Sequence, residues 1–192
     1  MHSFVAAVSI SYLIPFPYPK SSYQLLDFQK KFPNSIKKAR VGFMAPVANP
    51  RISKPTYHQV CSGSSGHVEV LYIELNDPQK HFEELIRFFF QFHDPTTLNR
   101  QGNDSGFQYA SYIFCNDEEQ TAIALKVGAE LQNHLDNGRI KAFSTKKVST
   151  KVGPMRMFTE AEADHQEYLM KNPHGYCNHR IRFKDWPELS LH

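Results

Sequence analysis

Cysteine and tryptophan are few in this chain. Cysteine occurs three times in 192 residues, at Cys61, Cys115 and Cys177, and the single tryptophan is Trp186. Three thiols make no even set of bridges, which excludes a disulfide-stapled secreted scaffold. What remains is a reducing compartment, or thiols kept for chemistry. A membrane-spanning run is missing too. The apolar stretch Phe4 to Phe16 is too short to cross a bilayer, and no Lys or Arg precedes it. Charge of one sign is weak: the formal net charge is +3, and the lysines fall in short groups at Lys30–Lys31, Lys37–Lys38 and Lys146–Lys147. Such groups read as solvated faces, not as a nucleic-acid surface. No internal repeat or low-complexity segment occurs.

What is present is one domain's worth of alternating elements. Pro15, Pro17 and Pro19 cannot continue a helix, so the first 20 residues are expected to be irregular and poorly ordered. Tyr23 to Phe32 carries a loose helical stripe that Pro33-Asn34-Ser35 breaks. Ala39 to Met44 reads as a strand, and Thr56 as the cap of a short helix through Val60. His67 to Leu75, HVEVLYIEL, reads as a central strand buried on both faces. Phe82, Leu85, Ile86 and Phe89 recur at i, i+3, i+4 and i+7, and Asp77-Pro78 starts that helix. A strand is expected over Tyr109–Cys115, then a helix begun by Asn116 with Glu119 and ended by Asp136-Asn137-Gly138. Ile140–Phe143 and Lys146–Lys151 suggest edge strands, and Thr159 a cap for a last helix, Glu160 to Met170. The order implies an α+β fold, a two-layer mixed sheet with packed helices.

Between helix and strand lies a long polar loop, His93 to Tyr109, HDPTTLNRQGNDSGFQY. Loops of this length are functional or disordered, and the varied side chains here favour an ordered binding loop. Around it gather Glu69, Asp104, Tyr109 and Tyr57. Glu69 on a buried strand is either a carboxylate paired with an arginine or backbone group, or a desolvated acid able to donate a proton at neutral pH. The first of these is the commoner outcome. Each tyrosine alone reads as a rim residue, and Asp104 alone as a turn former. His93 and His165 lack metal-ligand spacing and read as core or rim histidines.

Three long motifs add a resemblance. TYHQVCSGSSGHVEVLYI, HDPTTLNRQGNDSGFQYASYIF and EAEADHQEYLMKNPHGYC, in this order, resemble the peptide methionine sulfoxide reductase A family. The resemblance covers roughly Gln29 to Cys177. It divides the chain into an atypical segment, 1–27, a reductase-like domain, 28–177, and a tail, 178–192, and implies a ferredoxin-like core. It also implies reduction of the S epimer of methionine sulfoxide. In that chemistry a cysteine thiolate attacks sulfur while Glu69 protonates the oxygen and Tyr57 and Tyr109 hydrogen-bond it. Asp104 shapes the pocket, and Cys177 resolves the sulfenic acid to a disulfide. Thioredoxin, or dithiothreitol, then reduces that disulfide. No metal or organic cofactor is implied, and the expected protein is a cytoplasmic monomer.

One departure is severe. The family's nucleophile lies in a Gly-Cys-Phe-Trp-Gly motif, and counting back from Phe32 puts it near Lys20, where the chain reads Tyr18-Pro19-Lys20-Ser21-Ser22. Both the thiol and the aromatic wall for the substrate methyl are missing, and without a thiolate the reaction has no first step. Cys61 reads as a small packed hydrophobe, Cys115 as core, and Cys177 as a tail thiol able to reach inward. Two outcomes are open: a thioredoxin-dependent enzyme with an altered N-terminus, or a degenerate member that at most binds methionine sulfoxide peptides. The abrupt change near residue 28 favours the altered N-terminus. Phe107, where the family has threonine, is expected to narrow the pocket.

Overall fold

The computed structural model describes residues 5–9, 28, 30–48, 51–163, 166 and 180–188. Its sheet is laid out from β3, Val68–Leu75, which is buried along most of its length as a strand of alternating aliphatics should be when both faces are covered. β2, Ile36–Met44, pairs antiparallel on one side of it, with Phe43 opposite Glu69. β1, Val5–Ser9, pairs antiparallel on the other side, with Ser9 opposite Val70. Beyond β1 come β6, Tyr112–Cys115, and then β7, Lys151–Pro154, which is parallel to β6. β8, Phe158–Glu160, closes the far edge on β2. The inner strands stand in the order β6-β1-β3-β2, the split β-α-β arrangement of a ferredoxin-like core. A two-stranded ribbon, β4 (Arg100–Gln101) and β5 (Asp104–Ser105), stands apart.

Helices cover one face. α2, Pro78–Phe92, starts at Asp77, whose side chain accepts from the Lys80 N–H, with Pro78 at the first turn. α3, Glu118–Asp136, lies beside it. Their apolar stripes meet Leu71, Ile73 and Leu75 of β3 around Phe82, Ile86, Phe89 and Leu131. The other face of β3 presents Val68 and Val70 to Met44, Tyr112 and Phe114, with Phe107, Met155 and Phe158 packed over them. His93, just after α2, belongs to this scaffold. Its Nδ1 donates to the Phe89 carbonyl at 2.6 Å, and Nε2 accepts from Ser111 Oγ at 2.9 Å. Burial lowers its pKa to about 4.

Several expectations need correction. The irregular N-terminal segment contains β1, which is paired along both edges inside the sheet. The three prolines that suggested disorder lie beyond it, and a central strand needs only five residues of pairable backbone. Tyr109 belongs to a 3₁₀ turn, Phe107–Tyr109, and β6 starts three residues later. The cap of α3 is Asp117, which accepts from the Gln120 N–H, while the Gln120 side chain accepts from the Asn116 N–H. Residues 140–150 form no strand. Gln132 supplies the partners a ladder would have given, donating to the Lys146 carbonyl and accepting from the Val148 N–H, so the edge strand begins only at Lys151. Thr159 lies in β8 opposite Phe43 and caps no helix, because pairing with β2 holds it extended. The rest of the expected last helix, 164–165 and 167–170, lies outside the described residues apart from Gln166.

Candidate active site

α1, Tyr57–Cys61, is a single turn with a complete capping box. Thr56 Oγ1 accepts from the Gln59 N–H and Gln59 Oε1 accepts from the Thr56 N–H. That turn fixes Tyr57 and Cys61 on one side, four residues apart. Burial raises the Tyr57 phenol's pKa, and the hydrogen-bonding contact with Cys61 adds to the rise. Val60 anchors the turn against Phe43, Tyr109 and Ala161, with Tyr57 and Cys61 packed around them. Phe43 lies opposite Glu69 across the β2–β3 pair, so this apolar group flanks the carboxylate.

Glu69 is 4% exposed. Desolvation holds its carboxyl well above the usual carboxylate range, and the nearby charge of Asp104 pushes it further in the same direction. Tyr109, also buried, has its phenol raised by desolvation first and then by Glu69, Asp104 and Cys61. Glu69, Tyr57, Tyr109 and Asp104 therefore share one electrostatic neighbourhood. These are the four residues that the resemblance singled out; Asp104 acts electrostatically on Glu69 and Tyr109, and Glu69 and Tyr109 act on Tyr57.

The polar loop is ordered by its own side chains. Asp94 accepts from the Thr96 N–H and hydroxyl at 2.9 and 2.6 Å, and from Ser144 Oγ at 3.0 Å. Gln101 Nε2 donates to the Asp94 carbonyl, also at 2.6 Å. These bonds place β5, with Asp104 at its start, against the site. Phe107 packs on the Met44–Val70–Tyr112 cluster, on the opposite face of β3 from Glu69, so it does not narrow the pocket. The hydrogen bonding carried by the tyrosine's neighbour in the sequence was not foreseen. Gln108 Nε2 donates to the Cys61 carbonyl at 3.1 Å, tying the Tyr109 turn to the end of α1.

Cys61 stands closer to this chemistry than its sequence context suggested. The i, i+4 spacing from Tyr57 was the available signal. Burial is the main reason its thiol is pushed up to about 11, with Tyr57 opposing and Glu69 adding to the rise. Cys115 is buried in the helical core, as expected. Cys177 lies outside the described residues, as does the stretch 10–27 that contains the expected nucleophile position. No cysteine occurs in that stretch. Among the described residues, no group of three His, Cys, Asp or Glu could hold a metal ion, and no helix is long and apolar enough to cross a membrane.

A model of the family described as peptide methionine sulfoxide reductase matches residues 27–188. The chain belongs to the peptide methionine sulfoxide reductase family. A probable peptide methionine sulfoxide reductase of Schizosaccharomyces pombe is 40% identical over 151 residues, spanning 78% of this chain and 82% of that protein. The reductase of Nautilia profundicola is 45% identical over 131 residues, 68% of this chain and 70% of its own. Among solved structures, reduced Mxr1 from Saccharomyces cerevisiae superposes with a TM-score of 0.71 at 29% identity, covering 93% of this chain and 92% of Mxr1. Mxr1 is also solved in complex with Trx2. This reductase-family fold is the mixed α+β sheet described above.

Proposed function

We propose that this chain recognises methionine S-sulfoxide in proteins and peptides, and that it carries the oxygen-handling half of the family's reductase reaction. The reaction class is reduction of methionine sulfoxide to methionine. The reading rests on one observation: Glu69 is buried with its carboxyl held well above the usual range, and it shares its electrostatic surroundings with Tyr57, Tyr109 and Asp104. A sulfoxide oxygen is a strong acceptor, and a neutral carboxylic acid beside two phenols is a donor set suited to it. Glu69 gives the proton, Tyr57 and Tyr109 hold the oxygen, and Asp104 helps keep Glu69 protonated. In the family's sequence a thiolate attacks sulfur as oxygen takes the proton, and the resulting sulfenic acid is resolved by a second thiol, here Cys177, with loss of water. Thioredoxin or dithiothreitol returns the disulfide to thiols; the Mxr1–Trx2 complex supports thioredoxin as the physiological partner. Nothing in this chemistry requires a prosthetic group, and its dependence on a thiol reductant suits a reducing compartment such as the cytoplasm.

The first step lacks its nucleophile. Cys61 is the one described thiol beside Glu69, and a thiol pushed up to about 11 is almost wholly protonated at neutral pH. The chain as it stands therefore binds the sulfoxide without reducing it. Calorimetry with an S-sulfoxide peptide, its R epimer and the thioether tests the recognition. Preference for the S-sulfoxide is expected, and equal affinity for all three would sink it. With dithiothreitol or thioredoxin, no methionine should form above the protein-free rate. Turnover abolished by Cys61→Ser or Cys177→Ser would show that a remaining thiol acts as the nucleophile.

A further inference from the structure

One cavity lies outside the cluster just described, one register step along the same strands. Met44 pairs with Val68 on one side and with Phe158 on the other, so Ala45, His67 and Met157 sit side by side just past the ends of β2, β3 and β8. With Ala48, Ile52 and Arg156 they line a pocket of about 220 Å³. That volume takes a side chain, not a whole organic cofactor. Its wall is mostly aliphatic, and three polar residues, Ser53, His67 and Arg156, break it. His67 Nδ1 donates to the Ser65 carbonyl at 3.0 Å, which leaves Nε2 as an acceptor, and burial keeps the ring neutral. Arg156 is exposed and takes part in no ion pair among the described residues.

The spacing between this pocket and the acid matches an extended peptide. Side chains alternate along a strand, so His67 lies on the Glu69 side, two residues away, a span of about 6.6 Å. An extended ligand repeats with the same period: residues i and i+2 point the same way, about 6.6 Å apart. A peptide that places its oxidised methionine at Glu69 thus carries its second neighbour to the pocket. The peptide's own N–H groups suit the His67 acceptor, and an acidic group beside that neighbour suits Arg156.

We propose that this pocket is a substrate subsite. It seats an apolar side chain two residues from the methionine sulfoxide, with a nearby peptide carboxylate meeting Arg156. The assignment rests on the sulfoxide reading of the Glu69 site. Four peptides test it on the full chain: sulfoxide or thioether, each with Leu or Gly at the second residue on both sides and one Glu adjacent to it. Leu should bind about tenfold more tightly than Gly, the value of one partly buried aliphatic side chain. Ala48→Phe, on an exposed loop, should fill the pocket and erase the Leu advantage while keeping the preference for sulfoxide over thioether. Arg156→Glu should weaken all four of these peptides, but not their counterparts with Gln in place of that Glu. Equal affinity for Leu and Gly in both oxidation states overturns the subsite, as does a Leu advantage that survives Ala48→Phe. A Leu advantage without any sulfoxide preference keeps the pocket as a peptide subsite and overturns the reading at Glu69. Self-association that Ala48→Phe abolishes, with peptide affinity unchanged, assigns the face to a second copy and overturns the proposal.

Discussion

β1 and α1 both support β3, the strand that carries Glu69, and the neighbourhood of that acid, but they meet opposite demands. β1 contributes main chain: Val5–Ser9 pairs with β3 on one edge and β6 on the other, completing the sheet. Almost any short run without proline can do this, because the ladder uses N–H and C=O groups that every residue carries. α1 contributes particular side chains in a fixed pose, Tyr57 and Cys61, held by a capping box. The family model matches only from residue 27, yet β1 takes its place in the sheet; on the proposed reading, the thiolate expected from this region has no substitute there, since no cysteine precedes Cys61. A fold position tolerates replacement that a reacting atom does not.

The largest expected effect would break the backbone side of that contrast. Ala7 lies opposite both Tyr72 and Phe114, so Ala7→Pro removes a donor from the middle of the sheet and should cost about 3 kcal/mol or more. A melt unchanged by this substitution would show that β1 contributes nothing to the fold.

Next comes pH, which sharpens the contrast because scaffold and site respond with opposite signs. His93 is held at about 4 by burial. Its folded pKa is below its unfolded one, so its contribution is complete above about pH 6.5 and is lost as pH falls through 4, about 3 kcal/mol in all. Urea titrations across that window should show the loss, and His93→Gln should reduce the slope. Glu69 is raised, so its contribution is present at low pH and lost as pH rises through its folded pKa. Sulfoxide-peptide affinity should therefore fall on the alkaline side, and Glu69→Gln should flatten the profile. An affinity that rises with pH would contradict the neutral acid.

A smaller effect is expected where β8 meets β2. A Cβ at Gly42 would collide with the Thr159 carbonyl and would lie within 2.6 Å of the Phe158 ring. Gly42→Ala should cost about 1–3 kcal/mol and loosen β8, measurable as faster amide exchange at Thr159 with little change at Glu69. The smallest effect should come from Tyr57→Phe, which removes one hydrogen bond to the sulfoxide, about 1 kcal/mol of binding. Calorimetry that found no loss would remove Tyr57 from the donor set.

Most of the scaffold was legible in the chain. The periodicity of Phe82–Phe92, the alternation of His67–Leu75 and the Thr56 cap each act locally, and each element formed within a few residues of its expected place. The failures share a cause. β1, β7 and β8 are short strands defined by their neighbours, and none carries a long repeat of its own. Thr159 offered a helix-cap signal that pairing with Phe43 overrode. At the site, Glu69, Tyr57, Tyr109 and Asp104 were singled out through motif resemblance, since spacing alone favoured commoner roles for each. Gln108 and the nearness of Cys61 to Glu69 stayed hidden because both depend on how the 3₁₀ turn meets α1.

The position of Cys61 carries one more consequence. It ends a helical turn, where carbonyl groups point outward and oppose negative charge, and burial works in the same direction. Hydrogen peroxide reacts with thiolates, so this sulfur should survive an oxidative burst that damages the exposed Met157. The protein can then sit among oxidised polypeptides, the thiol beside Glu69 chemically silent.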